Sequence, residues 1–350
     1  MNMKKTLVAF AALCAALSAS AAAGGGLIVK SGDAVAFLGD SITRLGESKP
    51  DGYVHLVERA LQYEGVAIRR IPAGVDGNRS CDLIRRVDGV LRAQPKFMTI
   101  SCGINDVWHQ ERNAGVSFED FRKHYAAILD RAAASNCTAI VLTTSKFQSS
   151  GHGDPVQRNE RLAPYVAWLR EEAKRRGLPL ADVNAAMHKA EKDHPDVRLT
   201  WGDGIHLADP GDRVMARAVL RAMGMGEDRL AKIAREAWKP VWVLCRYDLK
   251  EGVDQAAYKK AVEYVFRRVR DDRRCRQYRL LTDTSVEWDL PERFGAQTLW
   301  MLEEWESVWA LKQHLDAGWL KQLAPSVRAL RGKSTFHVLE DAHDVRTDDL

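Results

Sequence analysis

Between residue 34 and about residue 224, short apolar runs of strand length alternate with stretches patterned as amphipathic helices. This alternation limits the fold more than any other feature of the chain. The strand candidates are Ala34–Leu38, Val66–Ile71, Phe97–Ser101, Ala139–Thr144 and Leu180–Val183. In one of the intervening stretches, Phe121, Tyr125, Ile128 and Ala132 share a helical face, opened by Ser117 with Asp120 three residues on, as in a capping box. Strands joined by helical crossovers pair in parallel, and a parallel sheet buries both faces under helices. Such sheets bind ligands at the carboxyl ends of their strands. That is where the chemically informative residues of this chain fall.

The texture changes after Met223–Gly226. Residues 227–239 are charged and read as a linker helix, and seven of the ten tryptophans lie in 238–350, enough for a second aromatic core. The order there is strand (Val241–Tyr247), helix (Ala256–Val269), strand (Tyr278–Thr282), strand (Gln297–Leu302), helix (Ser307–Leu315) and strand (Thr335–Leu339). This β-α-β-β-α-β order predicts a ferredoxin-like α+β domain. At roughly 150 residues per domain, the length suits two domains, 24–226 and 240–342, with 343–350 as a tail.

A composition of 46% hydrophobic and 28% charged residues excludes a disordered tail, a collagen-like fibre and a disulfide miniprotein. Residues 1–23 pattern as a secretory signal: Lys4 and Lys5, then an apolar core from Leu7 to Leu17, then small residues from Ala19 to Ala23. The expectation is cleavage near Ala23–Gly24 and export to the periplasm or the medium. The apolar core is too short to span a bilayer, and no later stretch approaches about 20 apolar residues. The formal charge of +5 falls to +3 without Lys4 and Lys5, and residues 238–350 balance 19 basic against 19 acidic side chains. A nucleic-acid-binding surface is therefore not expected.

Five cysteines follow the signal: Cys81, Cys102, Cys137, Cys245 and Cys275. An odd number leaves at least one thiol unpaired, and the spacing fits no zinc template. A Cys245–Cys275 bridge stays open at this point. No metal or other cofactor is expected.

The first strand runs into Gly39-Asp40-Ser41. A serine at a strand's carboxyl end can serve as a nucleophile, but only beside a base, because a free hydroxyl is barely nucleophilic at neutral pH. Asp203-Gly204-Ile205-His206 precedes a helix start at Asp209-Pro210, and this spacing lets Asp203 fold back on the imidazole and leave its other nitrogen for Ser41. Asp106-Val107-Trp108-His109 competes for the same role, but His206 follows the fifth strand and precedes the last helix of the sheet domain. Gly74 ends a strand in a glycine turn, and Gly103-Ile104-Asn105 offers a side-chain amide. Backbone N–H groups with an amide are the equipment for stabilising an oxyanion. Each element alone is an ordinary turn.

Taken in order, Gly39-Asp40-Ser41, Gly74, Gly103-x-Asn105-Asp106 and Asp203-x-x-His206 resemble the SGNH/GDSL hydrolase superfamily over about residues 30–225. The resemblance implies a flavodoxin-like three-layer α/β fold and ester hydrolysis through an acyl-enzyme. It makes Ser41 the nucleophile, His206 the general base and acid, and Asp203 its orienting partner. The Ser41 and Gly74 N–H groups and the Asn105 amide would form the oxyanion hole. Asp40, Trp108 and His109 are expected to contact substrate. Ala73 departs from the asparagine common before the glycine.

The second domain is similar to the antibiotic-biosynthesis-monooxygenase-like group of dimeric α+β barrels, through Trp305-Glu306-Ser307 and His314. That likeness implies a homodimer through this domain. It also leaves open an oxygenase or haem-binding protein with its chemistry here and His314 as a ligand. Seven arginines between Arg267 and Arg279 suit an anion, or simply a helix carboxyl end. The leading expectation is an exported serine esterase for short acyl groups, O-acetyl on carbohydrate foremost, because no apolar lid interrupts the sheet domain. A lysophospholipase or thioesterase is the alternative within the same chemistry.

Overall fold

The computed structural model describes residues 26–149, 153–283, 294–295 and 297–341; the expected signal and the tail lie outside them. The chain forms two compact units that divide between Ala231 and Lys232.

Unit 1 is a parallel sheet of β1 (Ala34–Gly39), β2 (Arg69–Gly74), β3 (Phe97–Ser101), β4 (Thr138–Leu142) and β5 (Leu180–Ala181), in the order β2-β1-β3-β4-β5. This order reverses between β1 and β3, the switch point where doubly wound sheets open a crevice. Its helices are α1 (Ser41–Ser48), α2 (Tyr53–Tyr63), α3 (Ser80–Leu91), α4 (Ile104–Trp108), α5 (Phe118–Ala134), α6 (Pro155–Arg176), α7 (Val183–Asp193) and α8 (Asp209–Ala222). Both central strands are buried at every position, as a sheet with two covered faces demands. Ser117 caps α5 by accepting the Asp120 N–H at 3.1 Å, and its hydroxyl donates to the Asp120 carboxylate at 2.8 Å.

The second strand lies three residues later than the apolar run Val66–Ile71 suggests. It is an edge strand, with Arg69 and Pro72 exposed, so burial did not mark it. The fifth strand is only two residues long, since α7 starts at Val183 after Asp182 caps it.

α9 (Glu227–Glu236) spans the division between the units. Unit 2 is an antiparallel sheet of β6 (Val241–Leu249), β7 (Cys275–Leu281), β8 (Thr298–Trp305) and β9 (Arg331–Leu339), ordered β7-β8-β6-β9. Its helices are α10 (Gln255–Arg270), α11 (Val308–Asp316) and α12 (Gly318–Ala329). α12 is an addition to the expected order; Gly318 opens it and Pro325 is accommodated within it. Alternate residues of β6, from Val241 to Leu249, are buried against Tyr258, Val262 and Val265 of α10, Leu311 of α11 and Val327 of α12. Cys245 and Cys275 are free thiols, because β8 lies between their strands.

Candidate active site

Ser41 stands where β1 ends. Asp40 turns the chain out of the strand and caps α1, accepting the Ile42 N–H at 2.9 Å, so the helix begins at Ser41 and leaves its N–H among the unsatisfied donors of the first turn. Asp40 is 1% exposed, and burial raises its pKa to about 7 against the pull of the Ile42 N–H. The expectation that Asp40 contacts substrate is therefore corrected: its carboxyl is spent inside the fold on holding the helix that carries Ser41.

The His206 loop is pinned on all sides. Thr200 and Leu207 form a β-bridge, the Trp201 N–H donates to the His206 carbonyl at 2.7 Å, and the Gln148 N–H donates to the Gly204 carbonyl at 2.9 Å. Within the loop, Asp203 Oδ1 accepts the N–H groups of Ile205 and His206 at 2.9 and 3.0 Å. Its Oδ2 lies 2.5 Å from His206 Nδ1, and His206 Nε2 lies 2.8 Å from Ser41 Oγ. Desolvation pushes the Asp203 carboxyl up, but the bonds from His206 and the two N–H groups outweigh it and hold the pKa below the ordinary carboxylate value. The hydrogen on Nδ1 follows from this bond, which leaves Nε2 free to accept from Ser41. Ser41, His206 and Asp203 thus form a continuous relay across 165 residues of sequence.

The two further elements of the site depend on glycines. A Cβ on Gly74 would lie 2.2 Å from the Arg44 nitrogen, so only glycine lets α1 cross the end of β2 this closely. Gly103 has φ +124°, and a Cβ there would meet Thr144 Oγ1 at 2.6 Å; this turn starts α4 and brings out Asn105. Asn105 Nδ2 donates to the Asn78 carbonyl at 3.0 Å, which leaves the amide a second hydrogen. The Gly74 N–H has a different engagement from the one expected: it donates to Glu47 Oε2 at 3.2 Å, while Glu47 Oε1 accepts the Ala73 N–H at 2.8 Å. The close crossing of α1 over β2 puts Glu47 within reach of both.

Asp106 is not the partner of His109. It is fully buried and accepts from the Ser80 N–H at 3.0 Å and from the Ser80 hydroxyl at 2.5 Å, fixing the start of α3. The Trp108 and His109 rings lie tilted against each other with centroids 5.6 Å apart, and neither has a hydrogen bond or ring contact with Ser41 or His206 among the described residues. His314 is buried in unit 2 against Trp305 and Trp319, at 4.5 and 5.7 Å between ring centroids, and burial lowers its pKa to about 4.

Three contributors escaped the sequence reading. Trp201 is 41% exposed with its ring 6.1 Å from that of His206. Arg86 donates to the Gly39 carbonyl at 2.8 Å and to Asn78 Oδ1 at 2.7 Å, joining the end of β1 to the loop that holds Asn105. Lys49 pairs with Asp212 and donates to the Leu207 carbonyl at 2.9 Å. Only Trp201, two residues before Asp203, carried a local signal. Among the described residues, no group of three or more His, Cys, Asp or Glu side chains is arranged to hold a metal ion, and no helix is long and apolar enough to cross a membrane.

A buried sheet with a hydrogen-bonded serine, histidine and aspartate at its carboxyl edge is a hydrolase architecture. The GDSL-like lipase/acylhydrolase family matches residues 37–214, just over half the chain and all of that relay; the chain belongs to this family and is a serine ester hydrolase. The acetylxylan esterase of Geobacillus stearothermophilus is 28% identical over 214 residues, or 56% of this chain and 96% of that protein. Among solved structures, LAE5, an alpha/beta hydrolase enzyme from the metagenome of Lake Arreo in Spain, is 29% identical with a TM-score of 0.50, covering 57% of this chain and 98% of its own. A variant of Axe2, an acetyl-xylooligosaccharide esterase from Geobacillus, is 25% identical with a TM-score of 0.50, covering 57% and 97%. The family match ends before unit 2.

Proposed function

We propose that unit 1 is an acetylesterase for O-acetylated carbohydrate, working through an acyl-enzyme on Ser41. The observation that carries this reading is the relay Asp203 Oδ2–His206–Ser41 Oγ, with links of 2.5 and 2.8 Å. Ser41 Oγ attacks the ester carbonyl carbon as its proton passes to His206 Nε2, and Asp203 stabilises the imidazolium. The Ser41 N–H and the second hydrogen of the Asn105 amide receive the oxyanion, and the Gly74 N–H joins them when Glu47 releases it. Collapse expels the alcohol, which takes the proton from His206. Water, deprotonated by His206, then attacks the acyl carbon and frees the acid and Ser41.

The carbohydrate preference is supported by the acetylxylan esterase relative and by the exposed Trp201 ring beside His206, an aromatic face on which a sugar ring can lie. Within the same reading, unit 1 is a flavodoxin-like SGNH fold. Unit 2 is a ferredoxin-like domain of the monooxygenase-like group, supported by its antiparallel order β7-β8-β6-β9, and serves homodimerisation. Residues 1–23 direct export.

The test is a panel of acetylated xylooligosaccharides and 4-nitrophenyl esters of increasing acyl length, run on the wild type and on Ser41→Ala. Acetyl esters should lead and Ser41→Ala should be inert. A preference for long acyl chains would overturn the substrate class, and a fully active Ser41→Ala would overturn the mechanism.

A further inference from the structure

A cavity of about 360 Å³ lies wholly within unit 2, between its sheet and its helices. Its size falls in the range of small-molecule pockets, about 300–1,000 Å³. Much of the wall is apolar, supplied by Val262 and Val265 of α10, Met301 of β8, and Leu323 and Val327 of α12. β9 contributes Phe336, which sits opposite Cys245 on the core side of the sheet yet remains 51% exposed, so the cavity opens along this edge.

One charged group in the wall is held in a fixed plane. Arg331 donates from Nε to the Tyr258 hydroxyl at 2.6 Å, and its guanidinium carbon lies 3.5 Å from the centroid of the Tyr247 ring. Its two terminal nitrogens have no protein partner among the described residues. A guanidinium with its stem fixed and its fork free is shaped for two parallel bonds to a carboxylate.

The remaining charges favour the same sign of ligand. Arg328 also lines the cavity, as does Lys321, which pairs with Asp316 at 2.9 Å; its acid, Glu303, is 4% exposed and accepts the Trp305 Nε1–H at 2.7 Å. Burial raises the Glu303 pKa to about 7, against the bond from Trp305 and the charge of Arg331, which weakens its opposition to an incoming anion. His314, also in the wall, is neutral because burial lowers its pKa to about 4. Asp272 and Arg274 face it from the turn before β7 as a mutual ion pair.

We propose that unit 2 binds a small apolar carboxylate, its carboxylate on the free fork of Arg331 and its body against Val262, Met301 and Leu323. The site shares no residue with the esterase relay and stands whether or not that relay acts on carbohydrate.

The test uses the full chain and two isosteric probes, 2-naphthoate and naphthalene-2-carboxamide, followed by calorimetry and by quenching of tryptophan fluorescence. The naphthoate should bind saturably and the neutral amide roughly tenfold more weakly, the loss expected for one charge-assisted fork. Arg331→Gln should weaken naphthoate by roughly tenfold while leaving the amide unchanged. Ala324→Trp, which fills the cavity from α12, should abolish both. Ser41→Ala should bind naphthoate like the wild type. The proposal is overturned by an absence of saturable naphthoate binding, by equal affinity for acid and amide, or by loss of binding in Ser41→Ala. Should Arg331→Gln not fold, the acid–amide difference and Ala324→Trp still decide.

Discussion

The two sheets of this protein do different things with the same covering elements. β1 in unit 1 is buried at all six positions, whereas β6 in unit 2 alternates buried and half-buried residues along its whole length. A sheet sealed on both faces has only its strand ends to offer solvent, and there Ser41, Gly74 and Asn105 collect. Among its described residues, unit 2 holds no comparable relay of serine, histidine and carboxylate. What it has instead is space between the sheet and its helices, with Arg331 at one wall. Position in the layer, more than residue type, separates a reacting edge from a binding interior.

The sharpest way to break this contrast is at the nucleophile. Ser41→Ala should lower the kcat for 4-nitrophenyl acetate by about 10⁴-fold or more, with no loss of melting temperature, and adding His206→Ala should cost little further because the two act as a unit. Melting scans beside initial rates check this. Asn105→Ala removes a proposed oxyanion donor and should lower kcat by about 10²–10³-fold with a smaller effect on KM. In unit 2, Leu299 is fully buried, and Leu299→Ala should cost about 2–5 kcal/mol in denaturant unfolding while kcat/KM for the ester holds. A parallel fall in kcat/KM would mean that the two regions are not functionally separate.

A finer test lies in the cap of α1. The native pKa of Asp40, about 7, is above its ordinary 3.8, so between those values the folded chain keeps a proton that the unfolded chain has lost. Its contribution to stability is therefore greatest below about pH 4 and declines as pH rises to about 7. Asp40→Asn keeps an acceptor for the Ile42 N–H and removes this titration, so urea unfolding should vary less steeply with pH over that window. The smallest effect is expected at the platform: Trp201→Ala should raise KM for an acetylated xylooligosaccharide by roughly 2–10-fold with kcat little changed, within the range of one aromatic contact.

Much of this was legible in sequence, and the reasons are particular. β1 and β3 stood out because both faces of each are buried, which produces an unbroken apolar run in β1 and one interrupted only by Thr99 before the closing Ser101 in β3. Ser41 stood out because it follows a strand, Asp203 and His206 because they precede a helix start marked by Asp209-Pro210, and the three-residue spacing of Asp203 and His206 is itself the geometry of their contact. β2 was misplaced because an edge strand carrying Arg69, Arg70 and Pro72 has no apolar signature. Glu47 reaching Gly74, and Arg86 reaching Gly39, are contacts over 27 and 47 residues that exist only once α1 and α3 have packed. Local pattern located the serine, histidine and aspartate of the relay, and tertiary packing supplied what holds them.

Lys49 gives that last point a mechanical form. Seated just beyond the end of α1, it grips the carbonyl of Leu207 and the buried carboxylate of Asp212 together. The helix that opens with the nucleophile is thereby moored at its far end to the residue following the base. The serine's helix and the histidine's loop thus share a tether that lies outside the reacting centre. An ammonium outside the relay sets the spacing for the bond where a proton must jump.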